Sequence, residues 1–422
     1  MSARPGSPVW HPFTQHALQA EFPEIARAKG AMLETADGQQ ILDAISSWWV
    51  ITHGHCYPPI IDAIKRQADS LDHVIFAGFT HEPAEHLAAK LIALAPPGLK
   101  HVFYSDSGST AVEVGLKMAL GYWHNIGEAR SRILTLDHAY HGDTIGTMSA
   151  GARGVFNSAY EPLLFEVERL PFPAPGREQA ALDALEAACR TGEAAALIVE
   201  PLILGAGGML TWPAAALREM KRICERHRVL LIADEVMTGW GRTGTLFASE
   251  QAGITPDILC LAKGITGGSI PLAATLCTGP IFDAHYSEDR RRTFYHSSSY
   301  TANPIACAAA VANIEVWENE PVKDRVAVLS ALQAERVDRL RGNDRFHNPR
   351  QCGTITAVDL KCGDAGYLAG AGPTLYNFFI ERNVLLRPLG STIYVLPPYC
   401  AGPQDLDRVY DLISEAASLI RP

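Results

Sequence analysis

The sequence predicts an α/β fold in which a mostly parallel sheet is joined to a smaller α+β domain. Short apolar runs alternate with amphipathic helical patterns through the middle of the chain, and polar residues gather at the carboxyl ends of those runs. Such alternation is typical of a parallel sheet that helices cover on both faces. From about residue 311 the pattern changes. We therefore predict an N-terminal segment at 1–50 that packs with the small domain, a large domain at 51–310 and a small domain at 311–422.

The elements of the large domain follow from their residue patterns. Ile, Val and Leu are concentrated in four runs that predict buried strands, at 132–137, 195–201, 229–236 and 258–264. Helical periodicity predicts helices over 180–192 and 213–228, the second with Pro213 in its first turn.

The two ends of the chain carry shorter elements. Asp37-Gly38 predicts the turn of a hairpin within 34–49. One long polar helix is expected over 311–342, and a closing helix over about 404–420. Three shorter strands are expected between these helices, at 353–360, 383–388 and 392–398.

Composition excludes several classes of protein. The 422 residues are 47% apolar and 19% charged, which is ordinary for a soluble globular enzyme. The net charge of −10, without a long basic run, argues against nucleic acid as a partner. Nine cysteines without a CxxC pair argue against disulfides or a metal site and predict a reducing, cytoplasmic location. Neither a secretory leader nor a membrane-spanning run is recognisable, so we expect no membrane association.

Lys263 is the most unusual residue of the middle region. It lies in the stretch "ILCLAKGITGGSIPLAATL" (258–276), whose other residues are apolar, small or hydroxylic. Burial lowers the pKa of a lysine and makes its amine a nucleophile for carbonyl groups. The alternative is a lysine at a strand end that packs its stem and keeps its amine in water.

Two further stretches place polar groups at strand ends. Asp234 ends an apolar strand, where a carboxylate needs a partner, either an arginine such as Arg242 or a protonated heteroaromatic nitrogen. Tyr140 and His141 follow another strand and suit stacking on a planar ring, or else form a surface turn. Parallel strands present their carboxyl ends at one edge of the sheet, where ligands bind.

The stretch "YSDSGSTAVEVGLKMALGYW" (104–123) indicates an anion site. Gly108 and Ser109 directly precede a helical pattern, and a helix N-terminus favours negative charge. Ser and Gly are also ordinary N-cap residues, and no Walker-type lysine follows. A single phosphate group therefore fits better than a nucleoside triphosphate. Pyridoxal phosphate (PLP) needs an amine, an acid for its ring nitrogen, a phosphate cup and a stacking aromatic ring, and so accounts for all of these features together.

With those residues in view, the sequence resembles the class III aminotransferases along essentially its whole length. "LLIADEVMTGWGRTG" (230–244) followed by "ILCLAKGITGG" (258–268) is similar to the class signature. Within the class, the paired Trp48-Trp49 and "LLRPLG" (385–390) resemble the branch that acts in biotin synthesis. The resemblance implies the fold of type I PLP enzymes, with a seven-stranded sheet. It also implies transamination of 8-amino-7-oxononanoate to 7,8-diaminononanoate. The expected donor is S-adenosylmethionine, and lysine or another amine is the alternative.

The resemblance also implies roles for individual residues around the cofactor. Lys263 forms the Schiff base with PLP and moves the proton, and Asp234 holds the ring nitrogen with support from Glu200. Tyr140 stacks on the ring, and Gly108 and Ser109 bind the phosphate. Ser298 and Ser299 match positions that contact the phosphate of the other subunit, which implies a homodimer.

On the substrate side, the resemblance assigns an apolar pocket and a carboxylate clamp. Trp48 and Trp49 line the pocket, Arg387 binds the substrate carboxylate, and Arg242 and Asp143 assist in placing the substrate. From the residues alone, core packing is the better explanation of the two tryptophans, and a surface ion pair is the better explanation of Arg387. Phe13 replaces a tyrosine that is frequent in the branch, and "HSSSYTANP" (296–304) changes the pocket wall near Ser297.

Three other functions compete with this interpretation. A transaminase of the same class with broader scope would accept simple ω-amines or diamines. An isomerase or decarboxylase on the same scaffold would need no external amino acceptor. A PLP-binding regulator without catalytic activity would use the cofactor only as a ligand.

Overall fold

The computed structural model describes residues 7–19, 21–362 and 370–419. The strands of the described ranges are β1 Ile25–Lys29, β2 Met32–Thr35, β3 Gln40–Asp43, β4 Leu99–Ser105, β5 Arg132–Leu136, β6 Glu168–Leu170, β7 Ala194–Val199, β8 Ile203–Leu204, β9 Leu210–Thr211, β10 Leu230–Asp234, β11 Ile258–Leu261, β12 Ala273–Thr278, β13 Phe346–Cys352, β14 Ile355–Leu360, β15 Val384–Leu385 and β16 Thr392–Val395. The α-helices are Pro58–Ala68, Glu82–Leu94, Gly108–Ile126, Ile145–Ala150, Glu178–Arg190, Ala214–Arg226, Ser249–Ala252, Gly279–His285, Pro304–Asn319, Val322–Arg339, Ala371–Glu381 and Pro403–Ala416.

A seven-stranded sheet forms the centre of the molecule, in the order β4-β12-β11-β10-β7-β5-β6. Six of its strands run in one direction, and β12 alone pairs antiparallel with both of its neighbours. Every residue of β7, β10 and β11 is buried, as expected of strands covered on both faces. The mostly parallel α/β fold is thereby confirmed, and the four predicted strands correspond to β5, β7, β10 and β11.

The smaller sheets join the two ends of the chain. In the four-stranded sheet β1-β2-β3-β15, strand β3 pairs in parallel with β15, so that Leu42 lies opposite Val384. The predicted hairpin is present as the antiparallel pair β2 and β3, and Gly38 in its turn has a φ of +88°. A three-stranded sheet β13-β14-β16 packs beside it, and β8 pairs with β9. The domain boundaries that the sequence predicts are not tested by this structure and stay predictions. Helix Pro304–Asn319 is continuous across the boundary expected after residue 310.

Two predicted helices differ from the observed ones. Pro213 lies one residue before its helix, at the N-cap, because its ψ of 138° is extended rather than helical. The stretch 311–342 forms parts of two helices instead of one. Helix Pro304–Asn319 ends where Glu320 becomes extended before Pro321, and the second helix begins at Val322. A residue that precedes proline is driven out of the helical region by steric contact, which accounts for the break.

One short segment has an unusual backbone. Ser46, Ser47, Trp48 and Trp49 all have positive φ angles, of 54°, 44°, 72° and 74°. These four residues form one left-handed turn, which we call the Trp turn. Each non-glycine residue in that region costs of order 1–2 kcal/mol, so the surrounding structure must compensate for the turn.

Across the described ranges, no helix combines the length and apolar character that crossing a bilayer requires.

Candidate active site

The carboxyl ends of the central strands converge on one pocket. Asp234 is the last residue of β10, Glu200 directly follows β7, and Lys263 comes two residues after β11. All three line a cavity whose walls also include Tyr140, His141, Trp49 and the segment 107–109. The fold therefore brings together residues that are up to 214 positions apart, from Trp49 to Lys263.

Lys263 begins a short 3-10 helix that ends at Thr266, and its own φ is 45°. This turn is fixed from behind by Asn313, whose Nδ2 donates to the carbonyl oxygens of Gly264 at 3.1 Å and Ile265 at 3.0 Å. The Asn313 Oδ1 in turn lies 2.8 Å from Nε2 of the buried His53. The backbone that carries the lysine is thus held in one conformation.

The Lys263 amine faces the pocket. Its Nζ lies 5.2 Å from the ring centre of Trp49. Desolvation lowers the pKa of this amine, and the nearby carboxylates of Asp234 and Glu200 oppose that shift. The alternative, in which the lysine packs only its stem and keeps its amine in bulk water, does not match this geometry. An amine with a lowered pKa has a larger neutral fraction, which is the form that attacks carbonyl carbons.

Asp234 is buried and bound to His141 rather than to an arginine. Its Oδ2 lies 2.7 Å from Nδ1 of His141, and its Oδ1 accepts a hydrogen bond from the Val236 amide at 3.2 Å. The alternative of an ion pair with Arg242 is therefore wrong. His141 Nε2 is buried and has no hydrogen-bond partner in the described part of the chain.

Our sequence analysis missed the role of His141. The histidine follows Tyr140 in the same loop, but nothing in its spacing indicates that the ring turns back onto the end of β10. The signal available was chemical, because a buried strand-end carboxylate must find a partner and a histidine is a common one.

Glu200 fixes the loop that carries Tyr140. Its Oε2 accepts from the Tyr140 amide and its Oε1 from the Gly205 amide, both at 2.9 Å. Desolvation raises the pKa of the Glu200 carboxyl to about 7. Glu200 lines the pocket, and its two hydrogen bonds fix a backbone segment of the wall.

The Tyr140 side chain is half-buried at the wall of the pocket. Burial is the main cause that raises the pKa of its hydroxyl, and a hydrogen bond to Asp143 adds to the shift. The phenol is therefore neutral over the ordinary pH range, and its flat ring bounds the cavity.

An anion cup lies at the N-terminus of helix Gly108–Ile126. Ser107 caps this 19-residue helix by accepting from the Thr110 amide. Gly108 has no room for a side chain, because a Cβ would approach a Val236 methyl carbon to 2.6 Å. The Ser109 Oγ accepts from the Asp143 amide at 3.1 Å, and a Cβ on Gly142 would approach that oxygen to 2.2 Å. The free N–H groups of the first helical turn favour an anion at this place.

These residues fit PLP. The amine of Lys263 could hold the aldehyde carbon of PLP, and the Asp234 carboxylate could hold the ring nitrogen. The Tyr140 ring could lie against the face of the cofactor ring, and the 107–109 segment could hold the phosphate. The buried, unpartnered His141 Nε2 is consistent with a polar group of a ligand arriving in the pocket.

Phe13, Trp48 and Arg387 form a separate cluster. The ring centres of Phe13 and Trp48 are 5.4 Å apart, and the Arg387 guanidinium lies 5.3 Å from the Trp48 ring centre. The Arg387 Nη2 donates to the Phe13 carbonyl at 3.0 Å. Trp48 is partly exposed, so core packing does not describe it, whereas Trp49 is buried and donates to the Tyr394 hydroxyl at 3.1 Å.

Arg242 does not reach the pocket. It is 1% exposed, and its guanidinium donates to the carbonyl oxygens of Trp49, Ile51 and Pro397. The expectation that Arg242 helps to place substrate is corrected in this respect: a guanidinium buried on three carbonyls cannot also bind a ligand. Asp143, by contrast, lies beside Ser109 and Tyr140.

The serine run 297–299 lies outside this chain's pocket. Ser297 and Ser299 are exposed, and the Ser298 hydroxyl donates to Oδ2 of Asp106. None of the three lines the cavity that contains Lys263. The neighbouring Tyr295 and Tyr300 are exposed as well.

Comparison with known proteins identifies the class. The family model of the class III aminotransferases matches residues 15–417, and the chain belongs to this family of PLP-dependent enzymes. Among its relatives are proteins named adenosylmethionine-8-amino-7-oxononanoate aminotransferase. The one from Synechococcus elongatus is 47% identical, over 96% of this chain and 97% of its own. The one from Geobacter sulfurreducens is 39% identical, over 96% and 94%.

Solved structures agree in fold. The adenosylmethionine-8-amino-7-oxononanoate aminotransferase of Methanocaldococcus jannaschii superposes with a TM-score of 0.93 at 32% identity, over 98% of both chains. A PLP-bound amine transaminase from an uncultivated Pseudomonas species gives the same TM-score and identity, over 98% of this chain and 99% of its own. The seven-stranded fold of type I PLP enzymes is thereby confirmed.

Proposed function

We propose that the protein transfers an amino group to the ketone carbon of 8-amino-7-oxononanoate, forming 7,8-diaminononanoate for biotin synthesis, with S-adenosylmethionine as the donor. The observation that carries the proposal is the pocket in which Lys263 and Asp234 face one cavity beside a helix N-terminus. The choice of substrate is supported by the full-length relationship to proteins named for this reaction.

PLP supplies the electron sink that stabilises negative charge on the substrate carbon next to the nitrogen. The protein supplies the proton transfers. The Lys263 amine takes a proton from the donor carbon in the first half-reaction and returns one to the acceptor carbon in the second. Asp234, oriented by His141 at 2.7 Å, keeps a proton on the ring nitrogen of the cofactor. Tyr140 would hold the face of the ring, and Ser109 and Gly108 would hold the phosphate.

Substrate recognition is assigned to the cluster of Phe13, Trp48 and Arg387. A guanidinium binds a carboxylate through two parallel hydrogen bonds, so Arg387 would exchange the Phe13 carbonyl for the acid group of the substrate. Each methylene of the substrate chain that is buried against the tryptophans contributes about 0.8 kcal/mol. Asp143 would assist in placing the substrate from its position beside Ser109 and Tyr140.

A broader amine transaminase is the second candidate. It is favoured by the equally close structural likeness to the amine transaminase of the Pseudomonas species. Such an enzyme would accept simple amines, and it would gain nothing from a guanidinium placed for a remote carboxylate.

The working unit in this proposal is a cytoplasmic homodimer. Ser298 and Ser299 would contact the phosphate in the site of the other subunit, since they do not line their own. Exposed apolar side chains, among them Ile75 at 59% and Phe79 at 63%, provide surface for a second copy to cover.

The direct test is a product assay. Purified PLP-loaded protein is incubated with 8-amino-7-oxononanoate and, in parallel, with S-adenosylmethionine, lysine and a simple alkylamine, and the diamine is detected by mass. We expect 7,8-diaminononanoate with S-adenosylmethionine as the best donor. Diamine formed only with the alkylamine would favour the broader transaminase, and its absence with every donor would contradict the proposal.

A further inference from the structure

We propose that Asp43 is the positioning residue of substrate recognition. Its buried carboxylate holds residues 46–49 in the left-handed Trp turn, which directs Trp49 to the Lys263 pocket and Trp48 to the cluster of Phe13 and Arg387. The inference deepens the proposed function and depends on it for the identity of the long-chain acid.

The Trp turn needs an external support. Four consecutive non-glycine residues with positive φ do not form a stable unit alone, because the Cβ of each crowds its own backbone. The turn's own backbone bonds are few, from the Trp49 amide to the Ile45 carbonyl and from the Val50 and Ile51 amides to the Ser46 carbonyl. Side chains from outside the turn must therefore hold it.

Asp43 provides most of that support. It is the last residue of β3 and is fully buried. Its Oδ1 accepts from the Ile45 amide at 3.3 Å and the Ser47 amide at 2.9 Å. Its Oδ2 accepts from the Ser47 hydroxyl at 2.8 Å and lies 2.8 Å from Nε2 of His55. A single carboxylate thus binds two backbone N–H groups and two side chains around the turn.

Two further contacts hold the other side of the turn. The Arg242 Nη2 donates to the carbonyls of Trp49 and Ile51, and the Ser46 hydroxyl donates to the Leu396 carbonyl at 2.8 Å. The turn is therefore supported from both sides, by Asp43 on its amide side and by Arg242 on its carbonyl side.

The consequence of this geometry concerns the two tryptophans. Trp49 faces the Lys263 amine, with 5.2 Å between Nζ and the ring centre, whereas Trp48 lies under the Arg387 guanidinium at 5.3 Å. Successive residues of one turn thus connect two places that a long-chain acid would span, the Lys263 pocket at one end and the Arg387 cluster at the other. Loss of the turn would affect a substrate that spans both ends more than a short one.

The test uses PLP-loaded full-length protein and four changes: Asp43→Ala, Asp43→Asn, the double variant Asp43→Ala with Ser47→Gly, and the control Asp257→Asn. The amide of Asp43→Asn keeps one acceptor for the backbone N–H groups. Glycine at position 47 adopts positive φ without steric cost, so it should restore the turn. Asp257 binds Lys221 and the Leu231 amide at the opposite end of the strands, so its loss destabilises the fold without touching the turn.

The primary readout is KM for 8-amino-7-oxononanoate, set against KM for a short alkyl aldehyde as acceptor. We expect Asp43→Ala to raise KM for the keto acid at least tenfold and KM for the aldehyde less than twofold. The KM of Asp43→Asn for the keto acid should lie between those of the wild type and Asp43→Ala. The double variant should have a KM for the keto acid at least threefold lower than that of Asp43→Ala. The control should leave both KM values within twofold while lowering Tm.

A second readout does not depend on turnover. The pH midpoint of the cofactor absorbance reports the surroundings of Lys263, so it should shift in Asp43→Ala, return in the double variant and stay constant in Asp257→Asn. Equal KM changes for both acceptors, or no recovery with glycine, would overturn the inference. If the wild type forms no diamine, the proposed function fails, and the midpoint series still decides the role of Asp43.

Discussion

The proposed acid–base centre and the proposed substrate-recognition region of this protein are built in different ways. Lys263, Asp234 and Glu200 lie at the ends of neighbouring strands of one sheet, so the register of β7, β10 and β11 alone brings them together. Phe13, the Trp turn and Arg387 come from three distant segments, and hydrogen bonds to backbone carbonyls and a strained turn hold them in place. In the proposed function, the chemistry therefore depends on the sheet, whereas substrate choice depends on tertiary contacts outside it. Changes in the two regions should consequently differ in which kinetic constant they affect.

The largest effect should come from Lys263. Among the described residues of the pocket wall, Lys263 is the only lysine. Lys263→Ala removes the amine that would carry the cofactor and transfer the proton, and we expect kcat to fall by about 10⁴-fold or more. Steady-state assays and Tm should be measured together. The surface change Lys65→Ala serves as the control. Retention of more than about 1% of kcat in a folded Lys263→Ala protein would contradict the assignment of the chemistry to the strand-end residues.

Asp234→Asn should have the next largest effect. The amide cannot keep a proton on the ring nitrogen, so we expect kcat to fall by about 10²–10³-fold with little change in KM for the keto acid. Stopped-flow measurement of each half-reaction checks this result. An equal loss in kcat and in substrate affinity would show that the acid–base centre also governs recognition.

Arg387→Ala should show the opposite pattern. Loss of a two-pronged bond to a carboxylate corresponds to about 1.5–3 kcal/mol, so KM for the keto acid should rise roughly 10–100-fold. KM for an acceptor without a carboxylate should stay within twofold. Arg382→Ala, which breaks a partly exposed pair with Glu415, is the matched control. If both acceptors lose affinity equally, Arg387 is not a carboxylate clamp.

The smallest effect concerns pH and Glu200. Burial raises the pKa of this carboxyl from 4.5 to about 7, so the folded state retains a proton that the unfolded state releases. Its contribution to stability is complete below pH 4.5 and is lost as pH rises towards 7, by up to about 3 kcal/mol. Glu200→Gln should flatten the fall in unfolding free energy between pH 5 and 7, as measured in urea.

Glu288→Gln, a change at an exposed glutamate, is the control for this measurement of unfolding free energy against pH. Glu235, which is buried and has a pKa raised to about 7 by desolvation, should contribute a similar slope of its own. A pH profile of Glu200→Gln that is parallel to the wild type would mean that Glu200 is ionised in the folded protein.

The same contrast explains what could be predicted from the sequence. Buried parallel strands leave a strong apolar pattern, and their polar ends mark the edge of the sheet, so Lys263, Asp234 and Glu200 could be located from residues alone. A helix N-terminus with small residues likewise marked Gly108 and Ser109. The class resemblance added the remaining candidates.

Other features could not be predicted because they depend on side chains that meet only in the folded chain. Nothing in the spacing of His141 indicates its bond to Asp234, and nothing near Arg242 indicates that three backbone carbonyls surround it. The Trp turn is a further case, since serine and tryptophan do not favour positive φ and the stabilising carboxylate of Asp43 becomes visible only in three dimensions. The split of 311–342 into two helices was, by contrast, signalled locally by Pro321.

The central claim is that the ε-amino group of Lys263 carries the cofactor. Reduction of the PLP-loaded protein with borohydride, followed by proteolysis and mass spectrometry, measures this directly. We expect one phosphopyridoxyl group, on the peptide that contains Lys263. A modification at another lysine, or none at Lys263 in protein that forms the diamine, would contradict the account.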